Sequence, residues 1–303
     1  VTLVWGTSPP IFQGITAWLL ARLKGVPFLF EVRDLWPAFA IAVGVLHNPL
    51  LIHLSLGLER FLYRRADRVM VNSPGFIDHV TQRGARWVEL VPNGADPAMF
   101  DPDCRGEHFR DQHGLNNHFV VLYAGAHGLS NDLGVVLDAA GQLLDQPQIS
   151  LVLVGDGKEK AHLQEQAAAK ELTNLFFTPA VTKNDMPEVL AAADACIAIL
   201  KPLELYKTTY PNKVFDYMAA GRPVVLAVDG VIREVVEGAQ AGIAVPPGDP
   251  QAMAQAIRAL AADRPRCLEM GRAGRRCVEE EFNRTAVAEK LLLLLEEMER
   301  LHA

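Results

Sequence analysis

Short apolar runs of strand length alternate with helix-length stretches along this chain, in two successive series. The first series predicts strands at Val1–Trp5, Phe28–Val32, Val69–Val71 and Val88–Val91. Helices are expected between them at about Gly14–Leu23, Pro49–Arg65 and Gly75–Arg83. The second predicts strands at Phe119–Tyr123, Ile149–Val154, Leu175–Phe177, Ala195–Ile199, Val224–Val228 and Gly242–Val245. Its helices are expected near Gly134–Leu144, Lys158–Lys170, Met186–Ala193, residues 211–220, Val231–Gly238 and Pro250–Ala262. Strands separated by helices pair in parallel, and parallel sheets need helices on their faces. The fold class expected is therefore α/β, built on parallel sheets. Ligands of such sheets bind beyond the carboxyl ends of the strands.

A turn-rich stretch, Pro92 to Arg105, separates the two series and contains Asn93-Gly94. The domains expected are 1–105, including this linker, then 106–278, then a helical tail at 279–303. At 303 residues, 50% hydrophobic and 21% charged, the chain is globular and large enough for two cores. Its longest mostly apolar region, Ala38 to Leu58, is broken by His47, Asn48, Pro49 and His53, so no spanning helix is expected. The first residue is Val, with no basic leader or cleavage motif behind it. A fragment or a processed product is expected. Cys104, Cys196, Cys267 and Cys277 lack zinc or redox spacing, which predicts no metal cluster and a reducing, cytoplasmic setting.

Charge is uneven. Residues 1–105 hold ten Lys+Arg against nine Asp+Glu, a balance of +1, and residues 106–303 hold nineteen against twenty-seven, a balance of −8. An acidic second half argues against nucleic acid as a partner. The more basic first half suits anionic lipid or a phosphorylated acceptor. Arg60, Arg64 and Arg68 recur every four residues, with Arg65 beside them, and Leu51, Leu54, Leu58, Phe61 and Leu62 form the expected apolar face. This pattern fits a solvated basic face over a core, and it fits a platform for anionic lipid or a lipid diphosphate.

The densest chemistry lies in YPNKVFDYMAAGRPVV, Tyr210 to Val225. It reads as a loop, a short helix opened by Pro211 and closed by Gly221 and Pro223, and a buried strand. Lys213 and Asp216 are three apart and share a face near the helix N-terminus. A cation for phosphate beside a carboxylate for sugar hydroxyls suits a nucleotide-diphosphate sugar. The spacing equally fits a surface ion pair on an ordinary helix. Tyr123-Ala124-Gly125-Ala126-His127-Gly128 and Val154-Gly155-Asp156-Gly157 each follow a strand and precede a helix. Glycines there let backbone amides approach an anion, although strand-Gly-helix turns are common in α/β proteins. His127 is able to donate to a phosphate or sugar, or to sit as a plain loop histidine. Asp101-Pro102-Asp103 has the D-x-D form of a metal site, but in the linker it reads as an exposed turn.

Taken in order, GTSPP (Gly6–Pro10), EVRDLWP (Glu31–Pro37), ERFLYRRAD (Glu59–Asp67), NSPGF (Asn72–Phe76), VPNGAD (Val91–Asp96), YAGAHG, VGDG, the Tyr210–Val225 stretch and VPPGDP (Val245–Pro250) span nearly the whole chain. The set resembles a family 4 glycosyltransferase of the GT-B fold, on the branch that builds bacterial surface polysaccharides. The resemblance implies two Rossmann-like domains and a tail, near Met270 to Met298, that returns to the first. That family's opening strand and Gly-rich acceptor loop have no counterpart here, so the first domain is expected to be incomplete and the activity of this chain by itself is in doubt.

The resemblance further implies retaining transfer without a metal or other cofactor. The nucleotide-sugar is a substrate held by the second domain, and a saccharide or polyprenyl-diphosphate-linked acceptor is held by the first. An inner-membrane periphery is the implied location. Asp216 matches the second acid of the family's E-x7-E pattern, a ribose ligand, while Thr208 occupies the place of the first. The family's Arg and Lys after the first donor-domain strand are absent, and Gly125 to Asn131 fills that place. The phosphate role therefore passes to Lys213 and the loop amides, with Arg222 as an alternative. Asp34 matches the acid of a His-Asp pair in which Arg33 replaces the His. The implied catalytic residues are Arg33, Asp34 and Lys213. The implied donor contacts are Gly125, His127, Gly128, Gly155, Asp156, Gly157, Thr208, Asn212, Lys213 and Asp216. A nucleotide-sugar epimerase of the same fold and a non-catalytic sugar-nucleotide-binding protein stand as alternatives.

Overall fold

The computed structural model describes residues 1–300. Two compact units divide the chain: Val1–Asn93, Leu203–Tyr210 and the segment from Arg284 form the first, and Gly94–Pro202 with Pro211–Asn283 forms the second.

In the first unit β1 (Val4–Ser8), β2 (Phe28–Val32), β3 (Arg68–Val71) and β4 (Val88–Leu90) pair in parallel in sequence order. The connecting helices are α1 (Phe12–Lys24), α2 (Ala38–Ala42), α3 (Pro49–Arg65) and α4 (Ile77–Gln82). The strands read as unbroken apolar runs because both faces are covered. Phe28, Phe30, Val32, Val69 and Val71 turn to one side against Leu62, Tyr63, Phe76 and Val80. Leu29 and Met70 turn to the other, against Leu294 and Met298 of α13 (Arg284–Arg300).

Local chemistry fixes several ends. Asn48 caps α3, its Oδ1 accepting from the Leu50 and Leu51 amides at 3.0 and 3.2 Å, with Pro49 in the first turn. Gly25 ends α1 in the left-handed conformation.

Three expectations for this unit change. The first strand begins at Val4, not Val1, and runs to Ser8. Arg68 is not on the basic helix, because α3 stops at Arg65 and Arg68 opens β3. The inward face of α3 keeps Leu58, Phe61 and Leu62 against the core, but Leu51 and Leu54 are exposed, and Glu59 and Tyr63 are buried. The Glu59 carboxylate lies 2.7 Å from His79 Nε2 and 3.0 Å from Arg83 Nε, and it accepts from the Tyr63 hydroxyl at 3.2 Å. These contacts tie α3 to α4 and the residue that follows it. Burial and the neighbouring Glu59 together push the Tyr63 hydroxyl pKa up.

The second unit contains α5 (Glu107–His113), β5 (Phe119–Ala124), α6 (Leu133–Gly141), β6 (Ile149–Val154), α7 (Lys160–Ala169), β7 (Leu175–Thr178), α8 (Met186–Ala191), β8 (Ala195–Ile199), α9 (Asn212–Ala219), β9 (Val224–Ala227), α10 (Val231–Gly238), β10 (Gly242–Ala244), α11 (Pro250–Ala262) and α12 (Arg264–Glu281). Its six-stranded sheet has the order β10-β9-β8-β5-β6-β7. Strand order therefore reverses between β5 and β8, and a doubly wound sheet opens its ligand crevice at such a switch point.

The Pro92–Arg105 stretch is less free than its turn residues suggested. From Gly94 it belongs to the second unit. Ala95 N–H donates to Phe282 O at 3.1 Å, Arg275 Nη1 donates to Phe100 O at 2.8 Å, and Arg222 Nη2 donates to Cys104 O at 2.7 Å. Asp101-Pro102-Asp103 is an exposed turn in which Asp101 Oδ1 accepts the Asp103 amide at 3.0 Å.

Removing a carboxylate that is fully buried against the Arg83 guanidinium should leave uncompensated charge in the first unit. Glu59→Ala is expected to destabilise that unit by about 3–5 kcal/mol. Urea unfolding of the two proteins, monitored at the first unit's tryptophans, measures the difference. A loss below about 1 kcal/mol would show the network to be a solvated surface feature.

Candidate functional site

Beside the switch point of the second sheet, the loops after β5 and β6 interlock through their backbones. Gly125 N–H donates to Val154 O at 3.0 Å, His127 N–H to Asp156 O at 2.8 Å, and Glu159 N–H to His127 O at 3.0 Å. The approach is close enough to require glycine. A Cβ on Gly155 would lie 1.9 Å from Gly125 O, and one on Gly157 would lie 2.3 Å from His127 O, both at positive φ. The sequence reading assigned these glycines to an amide cradle for an anion. Instead Gly125, Gly155 and Gly157 donate their amides to Val154 O, Thr178 O and Asp156 Oδ1. Among the described residues Gly128 N–H has no acceptor, so the outward donor of this loop is Gly128.

Helix α9 is tied to the same place by Tyr217. Its hydroxyl accepts from Ala124 N–H at 2.9 Å and donates to Ala124 O at 3.1 Å, closing the end of β5. That tie carries Lys213, on the first turn of α9, over the ring of Tyr123, with Nζ 3.8 Å from the centroid. A Cβ on Gly125 would sit 2.7 Å from Nζ, so the glycine makes room for the ammonium. The side chain is partly exposed along its length, yet its charged end is crowded, and burial pushes its pKa down to about 7. Among the described residues it has no carboxylate partner. Burial without a carboxylate partner therefore drives Lys213 toward its neutral form, and an arriving anion would restore its charge.

His127 is fully buried, and both ring nitrogens lack partners. Its pKa is pushed down, first by burial, then by Lys160, against an opposing pull from Asp156 and a further push from Lys213. Lys160 Nζ spans the loop below it, donating to Gly155 O at 2.7 Å and Thr178 O at 3.1 Å. The loop after β8 joins through Lys201 N–H, which donates to Ser130 O at 3.0 Å.

The second unit thus brings Gly125, His127, Gly128, Gly155, Asp156, Gly157, Asn212, Lys213 and Asp216 onto the β5 and β6 loops and the first turns of α9. Arg222 is not among them. It precedes β9, at the amino ends of the strands, and its 2.7 Å bond to Cys104 O makes it a structural clamp. Thr208 belongs to the first unit, in a 3₁₀ turn over Glu204–Thr208. There its hydroxyl donates to Leu205 O at 2.6 Å, its carbonyl accepts from Ser73 Oγ at 2.5 Å, and Tyr206 stacks on Phe39 at 5.4 Å. Arg33 and Asp34 follow β2 at the carboxyl end of the first sheet. Arg33 N–H donates to Ser8 O and its carbonyl accepts from Asn72, and the Asp34 carboxyl is pushed up by its crowded surroundings and pulled down by Arg33.

The sequence reading missed the positioning tyrosines and Lys160. Tyr217 adjoins Asp216 and was available as a polar group on a buried helix face. Tyr123 ends the strand that feeds the glycine loop. Lys160 is a cation at a helix N-terminus, against the dipole, and such a placement needs a compensating acceptor. Among the described residues no group of three or more His, Cys, Asp or Glu is placed to hold a metal ion, and no helix is long and apolar enough to cross a membrane.

Two family models match. One, described as glycosyl transferases group 1, covers residues 118–263, and the other, a glycosyl transferase 4-like domain, covers residues 1–94. WcaI of Escherichia coli, which carries the provisional title of colanic acid biosynthesis glycosyl transferase, is 26% identical over 232 residues, covering 74% of this chain and 56% of WcaI. D-rhamnosyltransferase WbpZ of Pseudomonas aeruginosa is 27% identical over 220 residues, covering 71% of this chain and 55% of WbpZ. The chain therefore spans little more than half the length of these two relatives. The solved structure of Anabaena HepE in complex with UDP superposes with a TM-score of 0.83 at 20% identity, over 97% of this chain and 78% of that one. This likeness extends across both units and identifies the fold as GT-B. The chain belongs to the group 1 glycosyltransferases, with a glycosyl transferase 4-like domain over its first 94 residues.

Proposed function

We propose that the second unit binds a nucleotide-diphosphate sugar and that the chain carries out retaining transfer of its hexosyl or N-acetylhexosaminyl group to a lipid-linked saccharide, in bacterial surface-polysaccharide synthesis. One observation carries the reading: a lysine ammonium without a carboxylate partner, its pKa about 7, held at the switch point over Tyr123 and Gly125. A diphosphate supplies the missing negative charge. Asp216, one turn further along α9, is placed for the ribose hydroxyls. Support for the donor class comes from HepE, whose structures hold UDP and UDP-glucose. Support for a polysaccharide product comes from the name of WcaI, which refers to colanic acid biosynthesis.

In this mechanism the sugar–phosphate bond lengthens through an oxocarbenium-like state, and negative charge gathers on the departing diphosphate. Lys213, the N-terminal dipole of α9 and the Gly128 amide face that charge. His127, fully buried and with its pKa held down, backs the loop that carries Gly128. Arg33 and Asp34 act on the acceptor side, in the first unit. The positive charge comes from side chain and helix, so the step requires no divalent ion.

Two outcomes test the donor site. At pH 8 free Lys213 is mostly neutral, and an arriving diphosphate raises its pKa, so binding takes up a proton. The calorimetric enthalpy of UDP binding at pH 8 should then vary with the ionisation heat of the buffer. Buffer-independent enthalpy at pH 8 rejects Lys213 as the diphosphate ligand. In the transfer assay Lys213→Ala should lower kcat by on the order of 10²-fold, more than it raises donor KM, because the charge it meets grows in the transition state.

Asp216→Ala is expected to weaken UDP binding by about 1.5–3 kcal/mol, the range of a charge-assisted hydrogen bond. Titration of both proteins with UDP measures it, and equal affinities would remove Asp216 from the site.

A further inference from the structure

The switch point itself lies between β5 and β8, and the loops that leave it carry a pair of charges with no structural use. The loop after β5 runs past Gly128 to Asp132, the residue before α6. The loop after β8 reaches Lys201 shortly beyond Ile199. Backbone joins the two, because Lys201 N–H donates to Ser130 O at 3.0 Å. The β5 loop is held in addition by Asn131 Nδ2 and the Tyr123 hydroxyl, which donate to Ala126 O at 3.0 and 2.8 Å.

Asp132 departs twice from what an aspartate does at this position. Before a helix it ordinarily has extended backbone, and its carboxylate accepts an amide of the first turn. Here the backbone is left-handed, with φ 44° and ψ 40°, and the carboxylate accepts no capping bond. Aspartate tolerates that region better than most residues, at a cost that glycine does not carry. Strain of this kind persists where the surroundings over-determine it, and it collects at ligand sites.

Burial pushes the Asp132 carboxyl pKa up, and Lys201 is close enough to pull it down. Yet among the described residues no ion pair closes between them, and neither side chain has another hydrogen-bond or ion-pair partner. Both are partly exposed. An acceptor and a donor are thus kept near each other and apart, at the carboxyl ends of the strands, with the Gly128 amide on the same loop. That arrangement suits one chemistry. A phosphate would gain from Lys201 and be repelled by Asp132. A sugar hydroxyl donates to a carboxylate and accepts from an ammonium, and two neighbouring hydroxyls span such a pair.

We propose that Asp132 and Lys201 hold hydroxyls of the transferred sugar and set which sugar the donor site accepts. The proposal rests on the donor reading above, in which Lys213 meets the diphosphate and Asp216 the ribose, and it adds the subsite for the sugar. A sugar that lacks or inverts the matching hydroxyl leaves a charged group without a partner, and the site discriminates against it.

Calorimetric titration of the whole chain with UDP, UDP-glucose, UDP-galactose, GDP, GDP-mannose and GDP-glucose tests it. On the base that binds, wild type should prefer one sugar by about tenfold or more. Asp132→Gly removes the carboxylate and relieves the backbone, so its urea midpoint should not fall. It should bring the two sugars to within about threefold of each other while moving the affinity for the bare nucleotide by less than that. Lys201→Met should lose the preference as well. Asp132→Asn tolerates the same backbone and keeps an acceptor oxygen, so it should restore part of the preference. Equal loss of nucleotide and sugar-nucleotide affinity in Asp132→Gly would make Asp132 a support of the loop and overturn the proposal. An unchanged preference in that variant, or a wild type that binds the nucleotide but ranks its sugars equally, would overturn the proposal and leave the donor reading standing. A wild type that binds none of the six ligands rejects the donor reading, and the sugar subsite with it.

Discussion

The interlock between the loops after β5 and β6 is the constraint on which the candidate donor site depends. Its three backbone hydrogen bonds, Gly125 to Val154, His127 to Asp156 and Glu159 to His127, fix two loops that would otherwise be free. Everything above them inherits their position. His127 is buried because its backbone is clamped on both sides, and Gly125 is placed under Lys213 because its own amide is already spent. A methyl group at Gly155 or Gly157 would meet a carbonyl oxygen well inside contact distance, so the loops could not close. The glycines serve the rigidity of the site more than the reach of its amides.

On that base the site carries a deliberate imbalance. Lys213 and His127 are both pushed toward their neutral forms, principally by burial. Lys160, by contrast, is satisfied by two carbonyls and acts as part of the frame. The cost of holding Lys213 charged in a crowded place is recovered only when an anion arrives, which couples ligand charge to binding. Tyr217 makes this possible by pinning α9 to β5, and a small rotation of that helix would withdraw the ammonium from the loop.

Much of this architecture is legible in the sequence. Pro49–Arg65, Ile149–Val154, Ala195–Ile199, Val231–Gly238 and Pro250–Ala262 match the observed elements because a cap, a proline or an unbroken apolar run marks each end. Helices α2 and α5 were not anticipated; neither spans two full turns, which leaves little hydrophobic period to read, and the equally short α4 and α8 were anticipated only within longer expected stretches. The burial of Glu59 on α3 was hidden for another reason. Glu59 reads as a surface acid, and only its long-range pairing with His79 and Arg83 makes it a buried one. At the site, the identities of Lys213, Asp216 and His127 were visible as residue types at a helix start and in a loop. What each amide and ring nitrogen donates to was not visible, since those partners come from other strands. Thr208 illustrates the same limit. Sequence spacing set it eight residues before Asp216, yet packing against Ser73, with the neighbouring Tyr206 stacked on Phe39, assigns it to the first unit.

The discontinuity of the first unit has a consequence for how the protein is made. One face of its sheet, with Leu29 and Met70, is covered by Leu294 and Met298 of α13. A ribosome emits those two groups nearly a whole chain apart. The second unit contains all its own strands and helices by Asn283, so it is able to close while the earlier-born sheet still shows an apolar side to the cell. Until α13 emerges, the face of the first sheet that carries Leu29 and Met70 lacks its cover. Through that interval the nascent sheet is the surface most in need of a chaperone.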